Sequence, residues 1–319
     1  MAGPDVAPGM AAESAADGWA ASEAGAAPGP APLRLAYSPC PNDTFIFHAW
    51  VQGLLPGTPA VTERLEDIDT LNGLAAAGDA DVIKVSFHAF GHLRDRYALL
   101  HSGGALGRGC GPLIVARKES SFRPADANGG AAVLADDLSH VRIAIPGELT
   151  TGALLAGLFV GGGRKRVVMP FDRIMPAVAA GEVDAGVIIH EGRFTFGSYG
   201  LRRLVDLGEW WETTTGMAIP LGGIAVSRAL DRGTQGRVDA AIRASVIYAK
   251  AHPDASRDYV AAHSQEMDPA VCQAHIDLYV NDATVDYGPA GEAAIEHLLA
   301  AAAAAGLIEE SDKPLFWDR

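Results

Sequence analysis

Lys84 and Ser86 stand two residues apart in the run Val82-Ile83-Lys84-Val85-Ser86. If that run is a strand, alternation puts both side chains on one face. A lysine there is costly unless it is paired, serves a ligand, or reaches solvent along its own apolar stem. His190 closes a second apolar run, Val187-Ile188-Ile189. Imidazole is the side chain suited to moving a proton near neutral pH, although a histidine at a strand end is often only structural. A third candidate, Pro146-Gly147-Glu148-Leu149-Thr150-Thr151, falls between a strand and a helix. Free N–H groups and hydroxyls at such a helix start suit a carboxylate or phosphate. The competing reading is that Thr150 caps its own helix and does nothing more.

Other motifs carry less. Gly161-Gly162-Gly163 lacks the GxxxxGK[ST] order and reads as a turn before the solvated run Arg164-Lys165-Arg166. His190-Glu191 is not an HExxH motif, no ligand cluster stands out, and no metal or other cofactor is expected. Cys40 has no histidine close to it in sequence to activate it, so a nucleophile is not expected there. Trp210 and Trp211 read as packing.

The elements that must position these groups follow from two similar stretches. Ala76-Ala77-Gly78-Asp79-Ala80-Asp81 leads into the Lys84 strand, and Ala179-Ala180-Gly181-Glu182-Val183-Asp184 leads into the His190 strand. A helix stopped by glycine and followed by an apolar run is the pattern of a parallel strand covered on both faces. The chain is therefore expected to be α/β with two lobes, parallel-rich sheets flanked by helices and a ligand cleft between the lobes, at the carboxyl edges of the strands.

In the first lobe we expect strands at Leu33–Tyr37, Val61–Leu65 and Val82–Val85, with helices over Thr44–Gln52 and Ile68–Ala77. The turn Ser38-Pro39-Cys40-Pro41-Asn42-Asp43 precedes the first helix. Asn42 or Asp43 would cap it, and Ser38, Asn42 and Asp43 are candidates to line the cleft. Glycine-rich stretches before Leu113–Ala116 and Ile224–Val226 mark the two crossings between lobes. Between them a second set is expected: Val141–Ile145, a helix from Thr151 to Val160, Val167-Val168, a helix from Met175 to Ala180, and Val187–Ile189. The Glu119–His140 segment reads as a long polar connection. Helices over Asp239–Ala251, Ala255–His263, Pro269–Val280 and Gly291–Ala305 should pack back on the first lobe. The expected division is a disordered Ala/Gly/Pro-rich tail at 1–31, lobe 1 at 32–112 and 222–319, and lobe 2 at 113–221.

At 319 residues and 49 % hydrophobic composition, the chain can bury two cores. Its formal charge of −14 argues against nucleic acid or an anionic membrane as partner. No secretory leader and no membrane span are expected. Three widely spaced cysteines suit a reducing cytoplasm better than a disulfide framework. The expected partner is a small-molecule substrate, with no obligatory protein partner.

Taken together, Ser38-Pro39-Cys40-Pro41-Asn42-Asp43-Thr44-Phe45, Lys84-Val85-Ser86, Thr150-Thr151, His190-Glu191 and Tyr279-Val280-Asn281 resemble the 1,4-dihydroxy-6-naphthoate synthases of the futalosine route to menaquinone. The resemblance runs from about Leu33 to the C-terminus. It implies a type II periplasmic-binding-protein-like fold turned to catalysis. It also implies a cofactor-independent lyase that converts cyclic dehypoxanthine futalosine to 1,4-dihydroxy-6-naphthoate and dihydroxyacetone. By the same resemblance the proton acceptor is His190, and the substrate-binding segments fall on Lys84, Val85 and Ser86 and on Thr150 and Thr151. Two rivals share the fold: the chorismate dehydratase of the same pathway and a non-catalytic small-molecule-binding protein.

Overall fold

The computed structural model describes residues 31–125, 130–161, 165–265 and 268–319. The expectations for the first thirty residues, and for Gly162, Gly163 and Arg164, lie outside the described residues. The chain opens with β1 (Leu33–Tyr37), α1 (Pro41–Val51), β2 (Val61–Leu65), α2 (Ile68–Ala77), β3 (Val82–Ser86), α3 (Phe87–Leu93), β4 (Tyr97–Leu99) and β5 (Ala105–Gly107). It crosses to a second sheet through β6 (Leu113–Arg117), α4 (Gly130–Ser139), β7 (Ile143–Ile145), α5 (Thr151–Val160), β8 (Arg166–Val168), α6 (Phe171–Ala180), β9 (Ala185–Ile188), α7 (Gly192–Thr195), β10 (Leu201–Asp206) and α8 (Leu207–Thr215). It returns through β11 (Ile219–Ser227) and finishes in α9 (Arg232–Ala251), α10 (Arg257–His263), α11 (Pro269–Tyr279), α12 (Asp282–Val285) and α13 (Gly288–Ala304).

The two similar stretches do the same job in both halves. Gly78 and Gly181 end α2 and α6 in left-handed conformations, at φ 80° and 76°. Their amide hydrogens turn back on the last helical carbonyls, Leu74 in one case and Val178 in the other. A side chain at either position would be strained, and glycine removes that cost. Each stop then delivers a strand, β3 or β9, into the interior of its sheet.

The first sheet runs β2-β1-β3-β11-β4, with β5 also paired to β11, and the second runs β10-β6-β9-β7-β8. In each, the β-α-β units supply a parallel set: β1 with β2 and β3, and β7 with β8 and β9. Each set is extended by antiparallel strands, so both sheets are mixed. The crossing strands cause this. β11 lies against β3 with Ile224 opposite Lys84, and β6 lies against β9 with Leu113 opposite Ile188. β11 begins at Ile219, earlier than the expected Ile224, because Ile219 and Pro220 also pair with β5.

Helices cover both faces of each sheet, as buried strands demand. Leu35, Tyr37, Phe47, Trp50 and Val246 make one core between the first sheet, α1 and α9. Val115, Ile174, Val178 and Leu201 make another on α6. The largest cluster is continuous between the two sheets, joining Leu71, Phe87 and Phe90 to Leu154 and Phe159 and to Leu298 of α13.

Several elements depart from expectation. α1 starts at Pro41, with Cys40 at the N-cap making no side-chain cap, so neither Asn42 nor Asp43 caps it. Proline suits the first helical position, and the Asp43 carboxylate is engaged elsewhere. The segment read as a long polar connection contains α4. It was obscure because only Leu134 and Leu138 are buried along it, while Val133 faces solvent. α9 begins at Arg232 because Asp231 caps it through the Thr234 amide. Trp211 is buried and Trp210 packs edge-on to Phe159 at 5.3 Å, in line with a packing role for this pair.

Candidate functional site

Between the carboxyl edges of the two sheets lies a cavity with about 660 Å³ of space including its mouth. Ser38, Asn42, Asp43, Lys84 and Ser86 reach it from the first sheet and α1. Thr150, Thr151 and His190 reach it from the second. Of the residues expected to catalyse, to bind substrate or to line the cleft, only Val85 is elsewhere. Alternation turns its side chain to the opposite face of β3, into the core, where it is fully buried. Val85 therefore offers the cavity no side chain.

Lys84 does not reach out to solvent. It is 5 % exposed, and its Nζ lies 2.7 Å from Asp43 Oδ1, itself only 2 % exposed. Asp43 also accepts hydrogen bonds from Asn42 Nδ2 at 2.8 Å and Ser38 Oγ at 2.7 Å. Four residues of the cavity wall thus form one network in which the buried carboxylate is held by three donors. Ser86 is positioned by Asn72, which sequence reasoning missed. The Asn72 side chain accepts from the Ser86 amide at 3.0 Å and donates to Ser86 Oγ and to the carbonyl of Leu149 in the other lobe. A polar residue among the inward-facing Leu71 and Leu74 of α2 was the available signal.

The threonines are already committed. Thr150 is the N-cap of α5: its Oγ1 accepts from the Ala153 amide at 3.2 Å and donates to Gly147 O at 2.9 Å. The capping reading of Thr150 is thus correct, and it lines the cavity as well. Thr151 Oγ1 accepts from the Phe87 amide at 3.0 Å and donates to Leu221 O. Phe87 opens α3 and Leu221 lies in β11, both packed with the first sheet, so this hydroxyl ties α5 to the first sheet at the cavity wall. Thr151→Ala would leave the buried Phe87 N–H unpaired, at about 1–3 kcal/mol for such a group. We expect Thr151→Ala to lower the thermal midpoint and raise KM, and Thr151→Ser to restore both. A KM unchanged in Thr151→Ala removes the hydroxyl from the binding role.

His190 follows β9 with φ 53°, the single non-glycine residue at positive φ among those described. A backbone in this region costs free energy and persists where surrounding structure imposes it, commonly at functional sites. Its Nδ1 lies 3.4 Å from Cys40 Sγ, and its ring meets Phe171 edge-on at 5.3 Å. The sequence places no histidine near Cys40, but the fold does. Burial lowers the His190 pKa below the ordinary histidine value, against the opposing pull of Glu191 and Asp43, with Lys84 lowering it further. Burial, with Glu191 and Asp43, also raises the Cys40 pKa, so the group beside the imidazole is a thiol. When Nδ1–H donates to that sulfur, Nε2 is left as the basic nitrogen. A neutral base on the wall of the cleft is what proton abstraction needs.

Two further wall residues, His275 and Tyr279, come from α11. They sit one helical turn apart and both are buried, with ring centres 4.5 Å apart. A histidine on the apolar face of an amphipathic helix was the signal for the first.

Residues 33–304 match the family described as menaquinone biosynthesis. The chain is 50 % identical over 281 residues to a 1,4-dihydroxy-6-naphthoate synthase of Streptomyces coelicolor, covering 86 % of this chain and 94 % of the relative. It is 47 % identical over 284 residues to the enzyme so named from Thermus thermophilus, covering 89 % and 98 %. Among solved structures, it resembles a protein of Archaeoglobus fulgidus at TM-score 0.77 and 35 % identity, covering 87 % of this chain and 98 % of that one. The alkanesulfonate-binding protein of Xanthomonas axonopodis matches at TM-score 0.64 and 17 % identity, covering 89 % and 96 %, a likeness of fold.

Proposed function

The chain belongs to the menaquinone biosynthesis family, and we propose from that premise that its cleft performs the 1,4-dihydroxy-6-naphthoate synthase reaction with His190 as proton acceptor. The near-full-length match to two enzymes of that name supports the activity. The observation that carries the role of His190 is its placement: a half-buried imidazole of lowered pKa, held at positive φ on the cavity wall.

The substrate is the one implied by the family resemblance, cyclic dehypoxanthine futalosine, and the reaction is a carbon–carbon lyase step with no net redox change. The first-lobe wall presents Lys84, Asp43 and Ser86 to the hydroxylated part of the substrate. The other wall presents the first amides of α5, beside Thr151 and Gly152, to its carboxylate. Early helical N–H groups lack partners inside their own helix and favour an anion. His190 removes one proton, and the carbon skeleton then fragments as the new ring becomes aromatic. Holding the reacting carbon beside a fixed base contributes by positioning, and contact of the lobes around the substrate keeps water out.

We assign lobe 1 to residues 32–112 with 222–319 and lobe 2 to 113–221, with the cytoplasm as the site of the reaction. Cys40 and Cys110 are free thiols, which suits that compartment. Among the described residues no helix is long and apolar enough to cross a membrane.

The test is incubation of the purified chain with cyclic dehypoxanthine futalosine, with 1,4-dihydroxy-6-naphthoate followed by chromatography with mass detection. Formation of naphthoate with an equal amount of dihydroxyacetone is the expected result. A folded protein that yields neither overturns the assignment and directs the assay to chorismate, then to ligand-binding screens.

A further inference from the structure

We propose that His275 is a second imidazole of the active site, touching substrate and donating a hydrogen bond to the oxygen on which negative charge develops while His190 takes the proton. This rests on the synthase reading above.

The placement of His275 is the argument. It is 1 % exposed, it forms part of the cavity wall, and neither Nδ1 nor Nε2 has a hydrogen-bond partner among the described residues. A buried imidazole has one donor and one acceptor to satisfy, and an orphaned buried polar group calls for an explanation. Its contacts are otherwise ring contacts: the Tyr279 ring centre lies at 4.5 Å and that of His190 at 6.3 Å. The two imidazoles therefore reach the cavity from different elements, β9 and α11, close enough for one substrate group to touch both. Burial and the neighbouring His190 and Lys84 push its pKa down to about 3. His275 is thus neutral throughout the working range. It can donate an N–H and cannot serve as a cationic acid.

The chemistry leaves a role for such a donor. One proton passes to His190 and the electron pair of that C–H bond is drawn onto a ring oxygen. One carbon–carbon bond breaks, its electron pair leaving with the three-carbon fragment, which takes up a proton and becomes dihydroxyacetone. The ring oxygen becomes a hydroxyl of the aromatic product when a proton returns to it. Nothing is oxidised or reduced overall. A fixed neutral donor aimed at such an oxygen stabilises it in the transition state more than in the ground state.

The test uses the full chain as wild type, His275→Leu and His275→Gln, with cyclic dehypoxanthine futalosine as substrate and thermal midpoints recorded without ligand. We expect His275→Leu to lose about 10²–10³-fold in kcat with a much smaller change in KM, the range for removal of one oxyanion donor. Its midpoint should equal or exceed that of wild type, because an unpaired buried imidazole is replaced by hydrocarbon. His275→Gln, which keeps a donor, should recover at least tenfold over His275→Leu. A His275→Leu enzyme within threefold of wild type in kcat overturns the inference. So does one whose loss merely accompanies a fall in midpoint without rescue by glutamine. Inactive wild type overturns the synthase reading itself. As a readout free of any folding defect, the His275 ring N–H resonance of wild type should move downfield on saturation with 1,4-dihydroxy-6-naphthoate, and an unmoved resonance also counts against the inference.

Discussion

His190→Asn is expected to lower kcat by about 10²–10⁴-fold while leaving the fold intact, the range over which a positioned acid or base contributes. Asparagine is the informative replacement because it tolerates the left-handed backbone that His190 adopts at φ 53°. Alanine would mix loss of the base with a change in strain. The pH profile makes a second demand. The base acts as neutral imidazole, and burial lowers its pKa below the ordinary value of about 6.5. The rate should therefore remain on its plateau at pH 6.5, where an unperturbed histidine would be half protonated. It should fall about tenfold per pH unit only once the pH drops below the lowered pKa. In His190→Asn that acidic limb should vanish from the residual rate. A wild-type rate already halved at pH 6.5, or an acidic limb retained in the variant, would assign the limb to another group.

How much of this site could be read from the chain depends on which contacts are local. The glycine stops at Gly78 and Gly181 act within one turn of helix, and they fixed the positions of β3 and β9 and hence the expected placement of Lys84, Ser86 and His190 at one edge. Two-residue alternation separates Lys84 and Ser86 from Val85, whose expected binding role came from the family motif rather than from its face of the strand. The contact between Cys40 and His190 joins residues 150 positions apart. It depends on how two sheets are set against each other, which no local pattern encodes. The same is true of the ion pair between Lys84 and Asp43. Asp43 reads locally as a helix cap, and only the fold shows its carboxylate turned to a lysine on another strand. α4 was hidden for a different reason. With two buried leucines in ten residues, its apolar stripe is too thin to stand out from a polar connection. His275 escaped because a single polar residue on an apolar helix face looks like noise until the cavity beneath it is known.

The Lys84–Asp43 pair distinguishes a stabilising contact from a functional one. Lys84→Met should destabilise the protein by about 3–5 kcal/mol, read from the urea midpoint at pH 7, because it leaves a buried carboxylate without its cation. Asp43 would retain only Ser38 Oγ and Asn42 Nδ2, neutral donors that each supply less than a charged one. The double variant Lys84→Met/Asp43→Leu removes both charges, and exchanging a buried pair for apolar groups of similar size is often neutral or stabilising. It should therefore recover most of the stability lost in the single variant. Turnover then separates the two roles. If the pair only holds β3 to α1, the double variant regains activity along with stability. If the pair holds the substrate, as the cavity placement argues, the double variant is stable and still slow. A Lys84→Met cost below about 1 kcal/mol, the range of a solvent-exposed pair, would contradict the burial on which both arguments stand. Recovery of full turnover in the double variant would move Lys84 out of the binding site and leave substrate recognition to Ser86, Thr151 and the start of α5.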